Sequence, residues 1–182
     1  MKMNSAEKEV HDWLFKTVIG LNLCPFAKKP YNEGQIRIKS TNKKNKKEQI
    51  DFFLDELNTL QQSQNLTTSL VIFENATKDF FKFYEFEQNL SDMLYELSLE
   101  ETFQLVSFHP KFIFEQEDKN SLANYVNRSP LPLIHILRSK DIALALEESK
   151  DAEALSFRNQ KKIENLSAQE LRYYFPFLKD IK

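Results

Sequence analysis

Six residues in this chain have the types that catalysis or ligand binding needs, and most sit beside proline or within apolar runs. Cys24 lies in Leu23-Cys24-Pro25-Phe26, His109 in Phe108-His109-Pro110, and His135 in Leu133-Ile134-His135-Ile136-Leu137. Asn127, Arg128 and Arg138 flank the last of these. A proline after a cysteine suits the first position of a helix, where its missing N–H is not needed. Cys24 would then be the N-cap, its sulfur facing free N–H groups and the positive end of the helix dipole. Lys28 lies one turn on, and both effects would lower the thiol pKa and make Cys24 a nucleophile or redox thiol. His109 would be the base, with His135 as a second polar group. Arg128 and Arg138 suit a carboxylate or phosphate in bidentate geometry. Asn127 could orient an imidazole or donate to an oxyanion.

Each of these residues also has a plainer reading. A free cysteine is often buried and inert. His109 could pin its loop, and a histidine in an apolar run is commonly a satisfied core residue. The arginines could pair with Glu117 or Asp118 in a structural network. Cys24, His109 and His135 could also offer one sulfur and two nitrogens to zinc or iron. No CxxC, HxxxH or HExxH spacing supports such a site, so no metal and no cofactor is assigned. His11 falls on the exposed side of the first helix and reads as solvated. The enzyme reading requires the Cys24 sulfur and a His109 nitrogen within about 4 Å of each other beside a cleft.

The elements that must position these residues follow from periodicity. Asn4 with Glu7 predicts a capped first helix, with Val10, Trp13, Leu14 and Val18 on its apolar face and Gly20 at its end. Residues 35–39 alternate as a half-buried strand. Ile50, Phe53, Leu54, Leu57 and Leu60 give a second helix, and residues 69–73 a central strand. Thr77 is expected to cap a third helix running through Phe80 to Leu97. Residues 103–108 read as a strand that delivers His109 at its C-terminal end, where α/β folds build sites. The segment 111–132 reads as a long irregular loop. Residues 133–137 fit either a strand or a helical turn. In a strand His135 and Arg138 would take opposite faces; in a helix they would share one. Helices are expected from Ser139 or Asp141 through Leu144 and Leu146, over 151–164, and over 167–175 with a Ser167–Glu170 capping box. The expected fold is α/β: a mostly parallel or mixed sheet of three to five strands flanked by helices. Residues 1–182 form one domain, with a helical C-terminal segment, 139–182, packed on it.

Three segments together resemble one bacterial family, called domain of unknown function 1415: residues 18–27, 103–110 and 127–138. With Asp79-Phe80 and Arg158-Asn159 in order, the resemblance spans nearly the whole chain. This chain has Leu131, Ser139 and Glu115 where the family pattern favours tyrosine, an acid and glycine. The resemblance implies motif boundaries and no substrate.

Composition narrows the partners. The chain of 182 residues carries 25 basic and 27 acidic residues, a net charge of −2, so no global field attracts nucleic acid. The basic run Lys39-Ser40-Thr41-Asn42-Lys43-Lys44-Asn45-Lys46-Lys47 lacks the interleaved aromatics on which bases stack, and reads as a solvated loop and helix start. Two glycines argue against a phosphate loop or a dinucleotide fingerprint. One cysteine excludes an internal disulfide and fits a reducing cytoplasm. No apolar run is long enough to span a bilayer, and no membrane partner is expected. The functional expectation is a cytosolic enzyme on a small anionic metabolite, using Cys24 with His109 and the anion site of Asn127, Arg128 and Arg138. The alternatives are a metabolite-, metal- or haem-binding module, and a structural protein with a buried polar network. The oligomeric state is left open.

Overall fold

The computed structural model describes residues 2–143 and 152–178. Helix α1 (Ser5–Trp13) starts as its sequence predicts. Asn4 Oδ1 accepts from the Glu7 N–H at 2.9 Å, and the Glu7 carboxylate accepts from the Asn4 N–H at 3.1 Å. It continues as a π-helical segment, Leu14–Ile19, that ends at Gly20. A short α2 (Lys28–Asn32) leads to β1 (Ile36–Thr41), α3 (Lys46–Gln62), β2 (Thr68–Phe73), α4 (Phe80–Glu96) and β3 (Phe103–Phe108). A 3-10 helix, Leu122–Asn127, interrupts the long connection to β4 (Leu133–Arg138). Residues 139–143 open a further helix. The expected helical positions Leu144, Ala145 and Leu146 lie outside the described residues. Helices α5 (Ala152–Glu164) and α6 (Ala168–Tyr174) close the chain, α6 with the Ser167–Glu170 capping box.

The four strands form one mixed sheet in the order β1-β2-β4-β3. β1 and β2 are parallel, and β4 runs antiparallel to both β2 and β3. β1, β2 and β3 therefore share a direction, and their carboxyl ends, Thr41, Phe73 and Phe108, lie along one edge of the sheet. The segment 133–138 is a strand, so the ambiguity of the sequence resolves that way.

Helices cover both faces. On the first, Leu70, Ile72 and Leu133 meet Val10, Trp13, Leu14, Ile163, Leu171 and Phe175. On the second, Val71, Phe73, Ile134 and Ile136 meet Phe53, Leu57, Phe83 and Leu90 of α3 and α4. Burial on both faces is why β2 reads as a continuous apolar run rather than an alternating one. Phe53, Phe73, Phe83, Phe103 and Phe175 are fully buried, each contributing roughly 1.5–3 kcal/mol of transfer free energy.

With two glycines, helix ends must close by other means. After α2, Gly34 takes φ +67° and forms a Schellman closure: Gly34 N–H to the Tyr31 carbonyl and Gln35 N–H to the Pro30 carbonyl. After α4, Ser98 adopts φ +56° and makes the same pair of bonds without glycine's freedom, at a cost of order 1–2 kcal/mol. After α3, Ser63 is extended, and neither closure forms. The start of α4 departs from expectation. Asp79, not Thr77, is its N-cap and accepts from the Lys82 N–H, while the Thr77 hydroxyl oxygen accepts from the Asp79 N–H. The carboxylate outcompetes the hydroxyl because it sits directly before the first helical residue.

Candidate functional site

The segment 20–27 is a string of turns rather than the start of a helix. The Cys24 carbonyl accepts from the Ala27 N–H at 3.2 Å, and α2 begins only at Lys28 with Ala27 as its N-cap residue. The expected N-cap role of Cys24 is corrected accordingly. Asn159 of α5 holds this loop through the Leu23 carbonyl at 2.6 Å, and Lys162 through the Leu21 carbonyl at 2.7 Å. Cys24 is half-buried and packs against the first-face core. Burial pushes its thiol above the ordinary value, and the N–H groups of Phe26 and Ala27, which pull it down, do not offset that. This direction is opposite to the lowered thiol pKa that a helix N-cap would give.

His109 sits at the end of β3 and is 1% exposed. Its ring packs against Phe80 and Phe83 of α4, at centroid distances of 5.8 and 5.4 Å, on the second face. Nδ1 accepts from the Lys111 N–H at 3.0 Å, and Nε2 donates to the Thr77 carbonyl at 3.2 Å. Both nitrogens are occupied by backbone, and burial lowers the pKa. His135 points to the first face. The Thr68 hydroxyl gives its proton to the Ile136 carbonyl, so His135 Nε2–H donates to Thr68 Oγ1 at 2.6 Å. Burial pushes the His135 pKa down to about 4.

The sheet thus separates the pair that the enzyme reading needs. Cys24 and His135 belong to the first layer, and His109 to the second. Among the described residues no three His, Cys, Asp or Glu side chains gather as metal ligands.

The anion-binding set is also engaged elsewhere. Arg138 lies over the Phe103 ring on the second face and donates to the carbonyls of Leu60 (2.5 Å), Ser63 (2.9 Å) and Leu66 (3.3 Å). Leu60 and Ser63 are at the C-terminal end of α3 and Leu66 is in the loop before β2, so Arg138 fastens both the end of a helix that has no glycine to close it and the connection to the next strand. Arg128 stacks on Tyr125 and donates to the carbonyls of Phe112 (3.4 Å) and Lys119 (2.8 Å). Asn127 Nδ2 donates to the Ser107 carbonyl at 3.5 Å, and its own carbonyl accepts from the His109 N–H. Glu117 and Asp118 form no ion pair with either arginine. His11 is half-buried, its Nε2 3.1 Å from the Tyr31 hydroxyl, rather than solvated.

A different set converges at the carboxyl ends of the parallel pair. The loops after β1 and β2 and the first turns of α3 and α4 enclose a pocket of about 190 Å³. Lys44, Lys46 and Lys82 line it with Asn75 and Thr77, over Phe83 and Phe86. No acidic side chain is in its lining. None of the three lysines has a carboxylate within ion-pair distance among the described residues, whereas neighbouring Lys43 pairs with Glu48 at 2.8 Å. His109 supports this pocket from below, since the Thr77 carbonyl it holds belongs to the wall. The sequence signal was present: a basic run directly after a strand and before a helix.

Two outcomes follow. Iodoacetamide alkylation of Cys24 across pH should give an apparent pKa above 9.0, the ordinary thiol value that burial raises; a value below 8, in the thiolate range of catalytic cysteines, contradicts the burial account. The two imidazoles, both with lowered pKa, set an acid limb. Unfolded histidine binds its proton near 6.5 and folded His135 near 4, so the unfolded state holds more protons between those values. Stability should therefore fall as pH drops through that window, and His135→Gln should make the slope shallower. An unchanged slope in urea titrations would remove His135 from the account.

Comparison with known proteins adds the family and no more. Residues 5–173 match the family model described as "Protein of unknown function (DUF1415)". No curated protein matches the chain, and no solved structure does. No described helix is long and apolar enough to cross a membrane. With the match covering all of the sheet and both helical layers, the chain belongs to the DUF1415 family.

Proposed function

We propose that this protein is a cytosolic binding module for a small anionic metabolite, held in the basic pocket at the carboxyl ends of β1 and β2. The observation that carries the reading is the convergence of Lys44, Lys46 and Lys82 on one pocket without an acidic lining residue. In a chain of net charge −2, three lysines that form no ion pair among the described residues line one pocket, and an anion there would gain from all of them. The location is the crevice outside the strand ends where open α/β sheets bind ligands. The volume suits a single phosphate or a short polycarboxylate. Phe83 and Phe86 give it an apolar floor that strengthens the charge interactions. Asp79 already occupies the start of α4, so the lysines rather than that helix dipole supply the attraction.

Cys24 takes no part in this reading, because it lies in the other layer with a raised thiol pKa. His109 acts as a prop for the pocket wall rather than as a base.

Titration of isotope-labelled protein with inorganic phosphate at fixed ionic strength tests the assignment. Amide shifts should concentrate in residues 43–49 and 74–83, with a dissociation constant of about 1 mM or tighter, about −4 kcal/mol. Lys46→Glu and Lys82→Glu, both on exposed side chains, should each weaken binding about tenfold. Shifts no larger than those from sodium chloride would refute the pocket.

A further inference from the structure

A second cleft lies on the first-face side of the molecule and has the opposite character. Glu9, Asp12, Trp13 and Lys16 recur at helical spacing along α1 and its π-helical extension. They form one wall of an open cleft of about 570 Å³, within the size range of small-molecule sites. Tyr173 and Phe177 stand on the other wall. The walls are tied together by the Thr17 hydroxyl, which donates to the Tyr174 carbonyl at 2.5 Å. The π-helical turn matters here. Its i→i+5 bonding, as in the Gly20 N–H to Phe15 carbonyl, widens the helix and lets the consecutive residues Phe15, Lys16 and Thr17 all line the cleft. Such turns are rare and cluster at functional sites.

Two observations indicate what the cleft takes. The Lys16 ammonium lies 4.0 Å above the centroid of the Tyr173 ring, so that ring face already holds a cation. Tyr173 is 57% exposed, and Phe15, although it stacks on Tyr31 at a centroid distance of 5.5 Å, is still 56% exposed, so part of each side chain meets solvent. The wall also carries two carboxylates that no lysine or arginine neutralises among the described residues. Glu9 has no ionic neighbour within 4 Å, and Asp12 has only His11, at 3.5 Å. A ring face that already accommodates an ammonium, beside carboxylates that no lysine or arginine pairs with among the described residues, has the elements of an ammonium site.

We propose that this cleft binds a small organic cation of the alkylammonium class. Its head group takes the place of Lys16 over Tyr173, Glu9 and Asp12 balance its charge, and its alkyl part lies against Phe15 and Phe177. Lys16 acts as an internal competitor that swings out when the ligand enters. The site is independent of the basic pocket and stands or falls separately from it.

Trp13 is the only tryptophan and lines the cleft, so its fluorescence reports binding directly. The probe is choline, titrated into the full chain at constant ionic strength, with sodium chloride and the neutral isostere 3,3-dimethyl-1-butanol as controls. Choline should give a saturable change that neither control reproduces. Tyr173→Leu should weaken it at least tenfold, and Lys16→Met should tighten it several-fold. Both substitutions are on the surface, and circular dichroism confirms the fold of each variant. Lys46→Glu should leave the choline response unchanged. A response shared by sodium or by the neutral isostere overturns the proposal, as does one that Tyr173→Leu leaves intact.

Discussion

The constraint that organises this structure is the need to satisfy main-chain carbonyls where elements end, in a chain with only two glycines. A buried carbonyl without a donor costs roughly 1–3 kcal/mol. The usual remedy, a glycine in the left-handed conformation, serves one helix here. Elsewhere long polar side chains do the work. Arg138 closes α3, and Arg128 gathers the 111–121 loop. Asn159 and Lys162 hold the turns before Cys24, and Trp13 Nε1 donates to the Arg128 carbonyl at 3.1 Å. His109 ties the end of β3 to the loop after β2. These bonds link distant segments, so removing one loosens two places at once.

The same constraint explains why the residues with reactive chemistry are not where ligands are expected to go. A guanidinium donating to three carbonyls has little capacity left for a substrate carboxylate. An imidazole with both nitrogens bonded to backbone cannot shuttle a proton without breaking its loop. The lysines of the basic pocket differ because their ammonium groups make no hydrogen bond to the main chain among the described residues; Lys46 only lies over the Phe86 ring at 5.9 Å. Lys44 lies in the loop after β1, and Lys46 and Lys82 in the first turns of α3 and α4, whose starts are already capped by Asn45 and Asp79. Free charge accumulates where the fold does not need it.

Much of the fold was legible in the sequence. The apolar alternation and runs located β1, β2 and β3 but left residues 133–137 open between strand and helical turn, and the Asn4–Glu7 and Ser167–Glu170 patterns marked two helix starts that the structure bears out. The exception at α4 came from reading Thr77 ahead of Asp79, two capping residues in close succession. The roles within the candidate site were less legible. Whether Arg138 meets a ligand or the end of α3 depends on what the sheet order places beside residue 138, and a single strand does not encode that. Cys24 looked like a helix cap because Cys-Pro suits that position. The helix starts three residues after Pro25, and burial then sets the thiol's behaviour. The basic run at 43–47 was visible, but its significance depends on Lys82, which comes within reach only when β1 and β2 pair in parallel.

The most direct test of this account is Arg138→Met, which keeps the apolar stem and removes the guanidinium that donates to the end of α3 and to the loop after it. Chemical denaturation and phosphate titration should be measured on the same sample. The account predicts a loss of about 2–3 kcal/mol in stability, as expected for charge-assisted bonds to otherwise open carbonyls, with phosphate affinity unchanged. Unchanged stability with phosphate binding lost would contradict it, and would return Arg138 to a role in ligand recognition.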